Sequence, residues 1–242
     1  MTEDRARTLE VAVLELPARH GAPDEVLSRV DALMTRARGA DLVLLPEACL
    51  TGYVSPAGDF DLSRFAEPID GRSARALAAL ARKHGTWLVG PLVLAEAGAV
   101  FNAACVLDDA GSLVTVYRKR HPWIPETWAS PGGSPLPVFH VCGHPVTIAI
   151  CYDIHFLAAE SRAALDEAEL LLFPSAWVED GADSRARHFS TLTRRHGLAI
   201  AHANWGEGGD VTVWGQGGSR ILDPRGRIVA TATEGLARAR LF

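Results

Sequence analysis

Two hydrophobic periods alternate along the chain. VAVLEL (residues 11–16), DLVLLPE (41–47) and TWLVGPLVL (86–94) are short apolar runs of the kind that form buried strands. Between them, EVLSRVDALMTRAR (25–38) places Val26, Val30, Leu33, Met34 and Ala37 on one helical face, and RSARALAALARKHG (72–85) reads as a second helix. The second half repeats this grammar with strands in VTIAICYD (146–153), ELLLFPSAW (169–177) and LAIAHAN (198–204), and with helices in LAAESRAALDEAE (157–169) and RARHFSTLTRRHG (185–197). Each half closes on a hairpin whose turn is DDAG (108–111) or DPRG (223–226).

The halves also resemble one another in sequence. ADLVLLPEA (40–48) returns as AELLLFPSA (168–176), ARKHGTWLVG (81–90) as TRRHGLAIAH (193–202), and VLDDAGSLVTV (106–116) as ILDPRGRIVAT (221–231). The order is kept while the offsets drift from 128 to 112 to 115 residues, which excludes a regular solenoid. Buried strands alternating with helices give sheets covered by helices. Two such halves stacked sheet on sheet predict an α/β fold, a four-layer α-β-β-α sandwich built from two similar halves and spanning residues 1–242 as a single domain.

Composition narrows the class of partner. The 242 residues carry 24 Lys+Arg against 29 Asp+Glu, a formal charge of −5 without long single-sign runs, so neither nucleic acid nor an anionic membrane surface is an expected partner. No apolar run approaches the ~20 residues of a membrane span, and the N-terminus has no secretory h-region, so the expected location is the cytoplasm. Cys49, Cys105, Cys142 and Cys151 form no CxxC pair and read as free thiols.

Placed on this frame, Glu47 ends a strand of the first half, Lys119 follows the VTVYR strand of its hairpin, and Cys151 ends the VTIAI strand of the second half. Groups at the carboxyl ends of strands in open αβ sheets gather along one rim. A carboxylate, an ammonium and a thiol there suit acyl transfer.

At these residues the chain resembles the nitrilase or carbon-nitrogen hydrolase superfamily, in its amidase-type branch. LVLLPEACLTGY carries Glu47, VYRKRH carries Lys119, and AICYD followed by LLLFPSAW carries Cys151; the likeness continues through HANWG and GGSRILDPRG. It implies a cofactor-free hydrolase that attacks a small linear amide or carbamoyl compound through a thioester. Cys151 would be the nucleophile and Glu47 the proton carrier. Lys119, with the backbone N–H of Tyr152, would stabilise the oxyanion and lower the pKa of the thiol. Nitrile hydrolysis is the alternative within the class, and a catalytically silent relative that binds a metabolite or partner is the alternative outside it.

The same resemblance marks Glu126 in WIPETWASPG as a second glutamate that holds the lysine and the substrate amide, against the plainer reading of a solvated loop carboxylate. Trp123, Trp128 and Trp177 are candidate aromatic walls for a small substrate, or simply packing residues. Relatives continue the cysteine motif as CYDxxFPE with an arginine shortly after. Here Leu157 and Ala158 stand at the Pro and Glu positions, with Glu160 and Arg162 as candidate replacements one helical turn on. The chain ends at Phe242 without the tail that many relatives use in dimer contacts, and the implied assembly is a homodimer or higher homo-oligomer.

Three other signals are weaker. HVCGH offers His140, Cys142 and His144 as metal ligands, but they flank a turn and lack a fourth ligand, so no metal is expected. His121 supports the lysine loop rather than acting as the base of a Cys-His pair. The glycines of WGEGGDVTVWGQGG lead into strand-like residues, the wrong context for a dinucleotide loop.

Overall fold

A computed structural model describes residues 8–177, 182–209 and 216–242. In chain order the elements are β1 (Leu9–Leu14), β2 (Leu16–Ala18), α1 (Pro23–Arg36), β3 (Leu42–Leu44), α2 (Arg72–His84), β4 (Trp87–Glu96), β5 (Ala99–Leu107) and β6 (Leu113–Arg118). The second half contributes β7 (Val138–Val141), β8 (His144–Ile148), α3 (Leu157–Glu160), α4 (Arg162–Glu167), β9 (Leu170–Pro174), α5 (Ala182–His196), β10 (Ala199–Ala203), β11 (Trp205–Gly209), β12 (Arg220–Leu222), β13 (Ile228–Thr231) and β14 (Leu236–Leu241).

The helices begin and end where their sequences direct. Pro23 opens α1 with Asp24 and Glu25 in the first turn and Arg36 in the last, which complements the helix dipole. α2 ends in Arg82, Lys83 and His84 and is closed by Gly85 at φ 58°, the left-handed conformation that glycine adopts without Cβ strain.

Two six-stranded sheets form, in the orders β14-β1-β3-β4-β5-β6 and β13-β12-β10-β9-β8-β7. β1, β3 and β4 run parallel in the first sheet, as β8, β9 and β10 do in the second. Hairpin strands extend one flank of each trio, and an antiparallel strand closes the other. The period-2 alternation of a strand divides the core. Leu9, Val11 and Val13 of β1 join the cluster that includes β8, β9, β10 and Phe189 of α5, whereas Ala12 and Leu14 join Val30 and Met34 of α1 and Leu77 of α2. A Cβ at Gly90 would lie 2.7 Å from a Leu77 methyl, so the glycine lets α2 seat against β4.

The layered architecture is the expected one, with local differences. VAVLEL divides at Glu15 into β1 and β2, and β2 pairs with β11 in a separate two-stranded ribbon. The long helix expected over residues 157–169 is broken at Ser161, whose backbone (φ −126°, ψ 21°) leaves the helical region. The edge strands β7 and β14, not anticipated from the pattern, occupy equivalent places beside β8 and β1. Part of WGEGGDVTVWGQGG, residues 210–215, lies outside the described residues.

Candidate active site

The strand trios end on one rim, and the chain continues past them in tight turns that carry the polar groups. Glu47 lies three residues beyond β3 and precedes Ala48 at φ 49°. Cys151 lies three residues beyond β8, not at the strand end as expected, and opens a 3₁₀ turn with its own φ at 46°. A residue with a Cβ rarely occupies that left-handed region, so the turn is held there by its surroundings. Lys119 follows β6 directly.

Glu47, Lys119 and Glu126 are buried together. Lys119 Nζ donates to Glu47 Oε1 and to Glu126 Oε2, both at 2.7 Å. Asn102 Nδ2 donates to Glu47 Oε1 at 2.8 Å and bridges to Glu126 Oε1. The Ala176 N–H donates to Glu47 Oε2 at 2.9 Å, while the Trp123 N–H binds Glu126 Oε2. Glu126 is therefore a buried partner of the lysine and not a solvated loop carboxylate. Asn102, Tyr53 and Ala176 were not singled out in the sequence. Tyr53 lies in the quoted glutamate motif and is buried, and its phenol is pushed well above its usual value by burial first and then by the nearby carboxylates Glu47 and Glu126.

Electrostatics correct one expectation. Burial is the largest influence on Cys151 and pushes its thiol well above the ordinary range; Glu47 and Glu126 add to this, and Lys119 opposes it without prevailing. The thiol thus carries its proton at rest. Burial likewise raises Glu47, against the pull of Lys119. Lys119 is held above its usual value because the two carboxylates outweigh its own desolvation.

The turn after Cys151 is anchored by Asp153, another residue missed in the sequence. Its Oδ2 accepts from the Ile150 N–H at 3.0 Å and the Tyr117 hydroxyl at 2.7 Å; its Oδ1 accepts from the His121 N–H at 2.9 Å and faces His121 Nδ1 at 3.0 Å. The His121 ring also stacks on Phe156 with centroids 3.9 Å apart. Glu160 does reach the lysine loop, meeting Arg120 at 2.8 Å and His121 at 3.2 Å. Arg162 instead pairs with Asp166 on the exposed side of α4, and Leu157 is buried in the core.

A cavity of about 240 Å³ opens over Cys151, lined by Tyr53, Trp123, Tyr152, His155, Ala176 and Trp177. Trp123 and Trp177 are thus walls. Trp128 is not among the lining residues and packs beside the cluster around Tyr53 and Trp205. Tyr152 is the second residue of the 3₁₀ turn, where backbone N–H groups have no partner within the helix.

HVCGH has a different explanation. Cys142 (φ 53°) and Gly143 (φ 87°) form the two-residue turn between β7 and β8, and His144 Nδ1 pairs with Glu169 at 2.6 Å while His140 is exposed. No group of three or more His, Cys, Asp or Glu residues suited to a metal occurs among the described residues. Nor is any helix among them long and apolar enough to cross a membrane.

The family model described as carbon-nitrogen hydrolase matches residues 10–236. The protein named "Hydrolase in pqqF 5'region" of Pseudomonas protegens is 32% identical over 93% of this chain and 79% of its own length. The deaminated glutathione amidase of Mus musculus is 29% identical over 97% of this chain and 80% of its own. Among solved structures, an amidase from Nesterenkonia sp. superposes with a TM-score of 0.86 at 26% identity, covering 98% of this chain and 91% of that one. A mutant of the Nesterenkonia amidase, with a TM-score of 0.85, 26% identity and coverage of 96% and 92%, shows acrylamide added at its active-site cysteine.

Proposed function

The chain belongs to the carbon-nitrogen hydrolase family, and on that footing we propose that it cleaves a small linear amide or carbamoyl compound with Cys151 as nucleophile. The observation that carries this reading is the buried Glu47–Lys119 contact of 2.7 Å beside a thiol that opens into an aromatic-walled cavity. Amides resist water, and a covalent acyl intermediate divides one difficult step into two easier ones.

The roles follow from the charges. Because the thiol is protonated at rest, its proton has to move to Glu47 as sulfur attacks the carbonyl carbon. Glu47 suits this role, since its raised pKa makes it a stronger base than an exposed carboxylate. The oxyanion that forms is received by Lys119 Nζ and the Tyr152 N–H; such a donor is typically worth about 3–4 kcal/mol. Glu47 returns the proton to the departing nitrogen as the C–N bond breaks, leaving a thioester on Cys151. Glu47 then deprotonates the incoming water, whose oxygen attacks the thioester, and the acid and the thiol are released.

Glu126 and Asn102 hold the lysine and the base in place, and Tyr53, Trp123 and Trp177 bound the acyl group. Every step uses a group of the chain, so the reaction is assigned no cofactor. We also propose one catalytic domain over residues 1–242 and a homo-oligomeric assembly; the exposed apolar residues Leu113 and Val114 on β6 and Ile228 and Val229 on β13 support the latter. The test is incubation with paired amides, carbamoyl compounds and nitriles, read as ammonia release and as mass added to Cys151. Amide or carbamoyl turnover supports the reading, preferential nitrile turnover replaces the substrate class, and no turnover with an unmodified thiol assigns the fold to binding.

A further inference from the structure

The segments HANWG (202–206) and GGSR (217–220) meet at the rim, and the reaction above assigns nothing to them. Asn204 stands between β10 and β11, fully buried, and its side-chain amide uses all of its hydrogen-bonding capacity. Oδ1 accepts from the Trp177 N–H at 2.8 Å and from the Ser175 hydroxyl at 2.9 Å, while Nδ2 donates to the Gly217 carbonyl at 3.0 Å and to the Trp177 carbonyl at 3.3 Å. One side chain therefore holds both polar groups of the Trp177 backbone. Ser219 Oγ fixes this clamp from behind, accepting from the Asn204 N–H at 2.9 Å and donating to its carbonyl at 3.2 Å.

What the clamp holds is the stretch that reaches the base. Ala176, between the two gripped residues, donates its N–H to Glu47 Oε2 at 2.9 Å. Its backbone also draws the Cys151 thiol toward ionisation, against the burial that raises it. The neighbour of Asn204 takes the other end of the same glutamate. The indole N–H of Trp205, fully buried, donates to the Glu47 carbonyl at 3.0 Å, and its ring meets that of Tyr53 edge-on with centroids 5.5 Å apart. In the internal repeat of ADLVLLPEA as AELLLFPSA, Ser175 occupies the place of Glu47. The second half thus presents at its strand end a handle for the base and not a second base.

We propose that Asn204 and Trp205 are positioning residues that hold Glu47 from its two ends, Asn204 through the Ala176 N–H at the carboxylate and Trp205 at the backbone. The inference rests on the reading of Glu47 as the proton carrier, and adds to it two residues that do not line the cavity over Cys151. A carboxamide supplies two donors and two acceptors in one plane, so Asp or Leu of similar size at 204 leaves buried backbone groups unpaired. Among the described residues, the ionisable groups acting on or facing Glu47 are Lys119, Glu126, the Cys151 thiol and the Tyr53 phenol. The Ala176 N–H is a neutral donor, and its loss leaves all four in place.

The experiment is the pH profile of Asn204→Ala and Trp205→Phe beside the parent, on the amide of the panel above that the parent turns over fastest. A hydrogen bond donated to a carboxylate favours its ionised form, so losing the bond raises the pKa. In Asn204→Ala the acid limb of kcat/KM is expected to move up by about one pH unit, the equivalent of one hydrogen bond to a charged group. Its kcat at the optimum is expected to fall by about a hundredfold, because the base is misplaced. Trp205→Phe keeps an aromatic ring and removes the N–H to a backbone carbonyl, so kcat is expected to fall by about tenfold with the limb unmoved. Should Asn204→Ala not fold, Ser175→Ala removes one bond of the clamp and is expected to move the limb in the same direction by about half a unit.

An acid limb that stays in place in the folded Asn204 or Ser175 variant, while Glu126→Gln moves it, overturns the inference and leaves Glu47 as the base. A rate that falls only in proportion to the folded fraction reduces Asn204 to a structural residue and overturns it too. Parental kcat in Trp205→Phe, or a limb displaced there as far as in Asn204→Ala, overturns the part assigned to the indole. A limb that responds to no variant, Glu47→Gln included, overturns the reading of Glu47 beneath the inference. Failure to turn over any amide, with Cys151 unmodified, overturns the amide-hydrolase reading as a whole.

Discussion

The hydroxyl of Tyr117 donates a 2.7 Å hydrogen bond to Asp153 Oδ2 across the interface between the two sheets. Tyr117 lies on β6, two residues before Lys119, and Asp153 lies two residues after Cys151. The bond therefore ties the strand that delivers the ammonium to the turn that delivers the thiol. Because Asp153 also accepts from the Ile150 and His121 N–H groups, one carboxylate fixes the left-handed turn and the lysine loop together.

Asp153→Asn keeps the shape of this anchor but replaces acceptor capacity with an amide donor. A misplacement of about 1 Å at the nucleophile is enough to lose roughly a hundredfold in rate. Asp153→Asn is expected to lower kcat by that order, and Tyr117→Phe by less because three contacts to Asp153 survive. A purely structural role is distinguished by urea unfolding: the predicted loss of kcat is present in protein shown to be folded under assay conditions, whereas activity that merely tracks the folded fraction contradicts the positioning role.

How far this arrangement was legible in the sequence depends on what each residue's signal was. Glu47, Lys119 and Cys151 stand in linear motifs beside strand runs, so their placement on one rim followed from the topology of αβ sheets. Asp153 was visible only as a letter of the cysteine motif, since its function is to receive donors from β6 and from the lysine loop, a pairing that no local period encodes. Asn102 and Tyr53 were hidden for the same reason: each is a lone polar residue in an apolar neighbourhood until the fold turns it toward Glu126. The strand β14 was missed because LARARL alternates charge on an edge and pairs with β1 some 230 residues earlier in the chain. The thiol's raised pKa was not legible because the ammonium could be counted in the sequence, whereas the burial that outweighs it could not.

The pH dependence carries a definite sign. Glu47 has to be ionised to accept the thiol proton, and its pKa is raised by burial with a further push from Glu126. Activity is therefore expected to fall as pH drops through this raised value, so that the acid limb of kcat/KM lies above the ordinary glutamate value of about 4.3. Glu126→Gln removes the neighbouring charge and should move that limb to lower pH while also reducing kcat. Glu47→Gln should reduce turnover by about a hundredfold or more and erase the limb. An unchanged acid limb in Glu47→Gln places the base elsewhere, with His121 the next group to examine.

Lys119→Arg retains charge but not shape. The ammonium is fully buried between two carboxylates at 2.7 Å, and a guanidinium on a longer stem cannot occupy that position without moving one of them. Activity is expected to be lost nearly as completely as in Lys119→Met. That second variant leaves two buried carboxylates without their counter-charge and should cost about 3–5 kcal/mol of stability unless they take up protons. Amide hydrolysis by Lys119→Arg within tenfold of the parent would reduce the lysine to a diffuse electrostatic contributor.

Thiol-directed and metal-directed inhibition separate the chemistries. EDTA is expected to leave hydrolysis unchanged, and iodoacetamide to inactivate the protein at a rate that rises with pH, because the resting thiol is protonated. Amide substrate should slow the alkylation. Loss of activity with chelator and recovery with zinc, together with indifference to alkylation, would return attention to metal chemistry.

The central claim is that the sulfur of Cys151 forms the bond that breaks the substrate's C–N linkage. Its most direct test is the steady-state hydrolysis rate of Cys151→Ala beside the parent, with folding of both verified by near-ultraviolet circular dichroism. The account predicts that ammonia release falls by at least about ten-thousandfold, since removing a covalent nucleophile removes the pathway itself. A folded Cys151→Ala protein that hydrolyses the same amide within tenfold of the parent would contradict it.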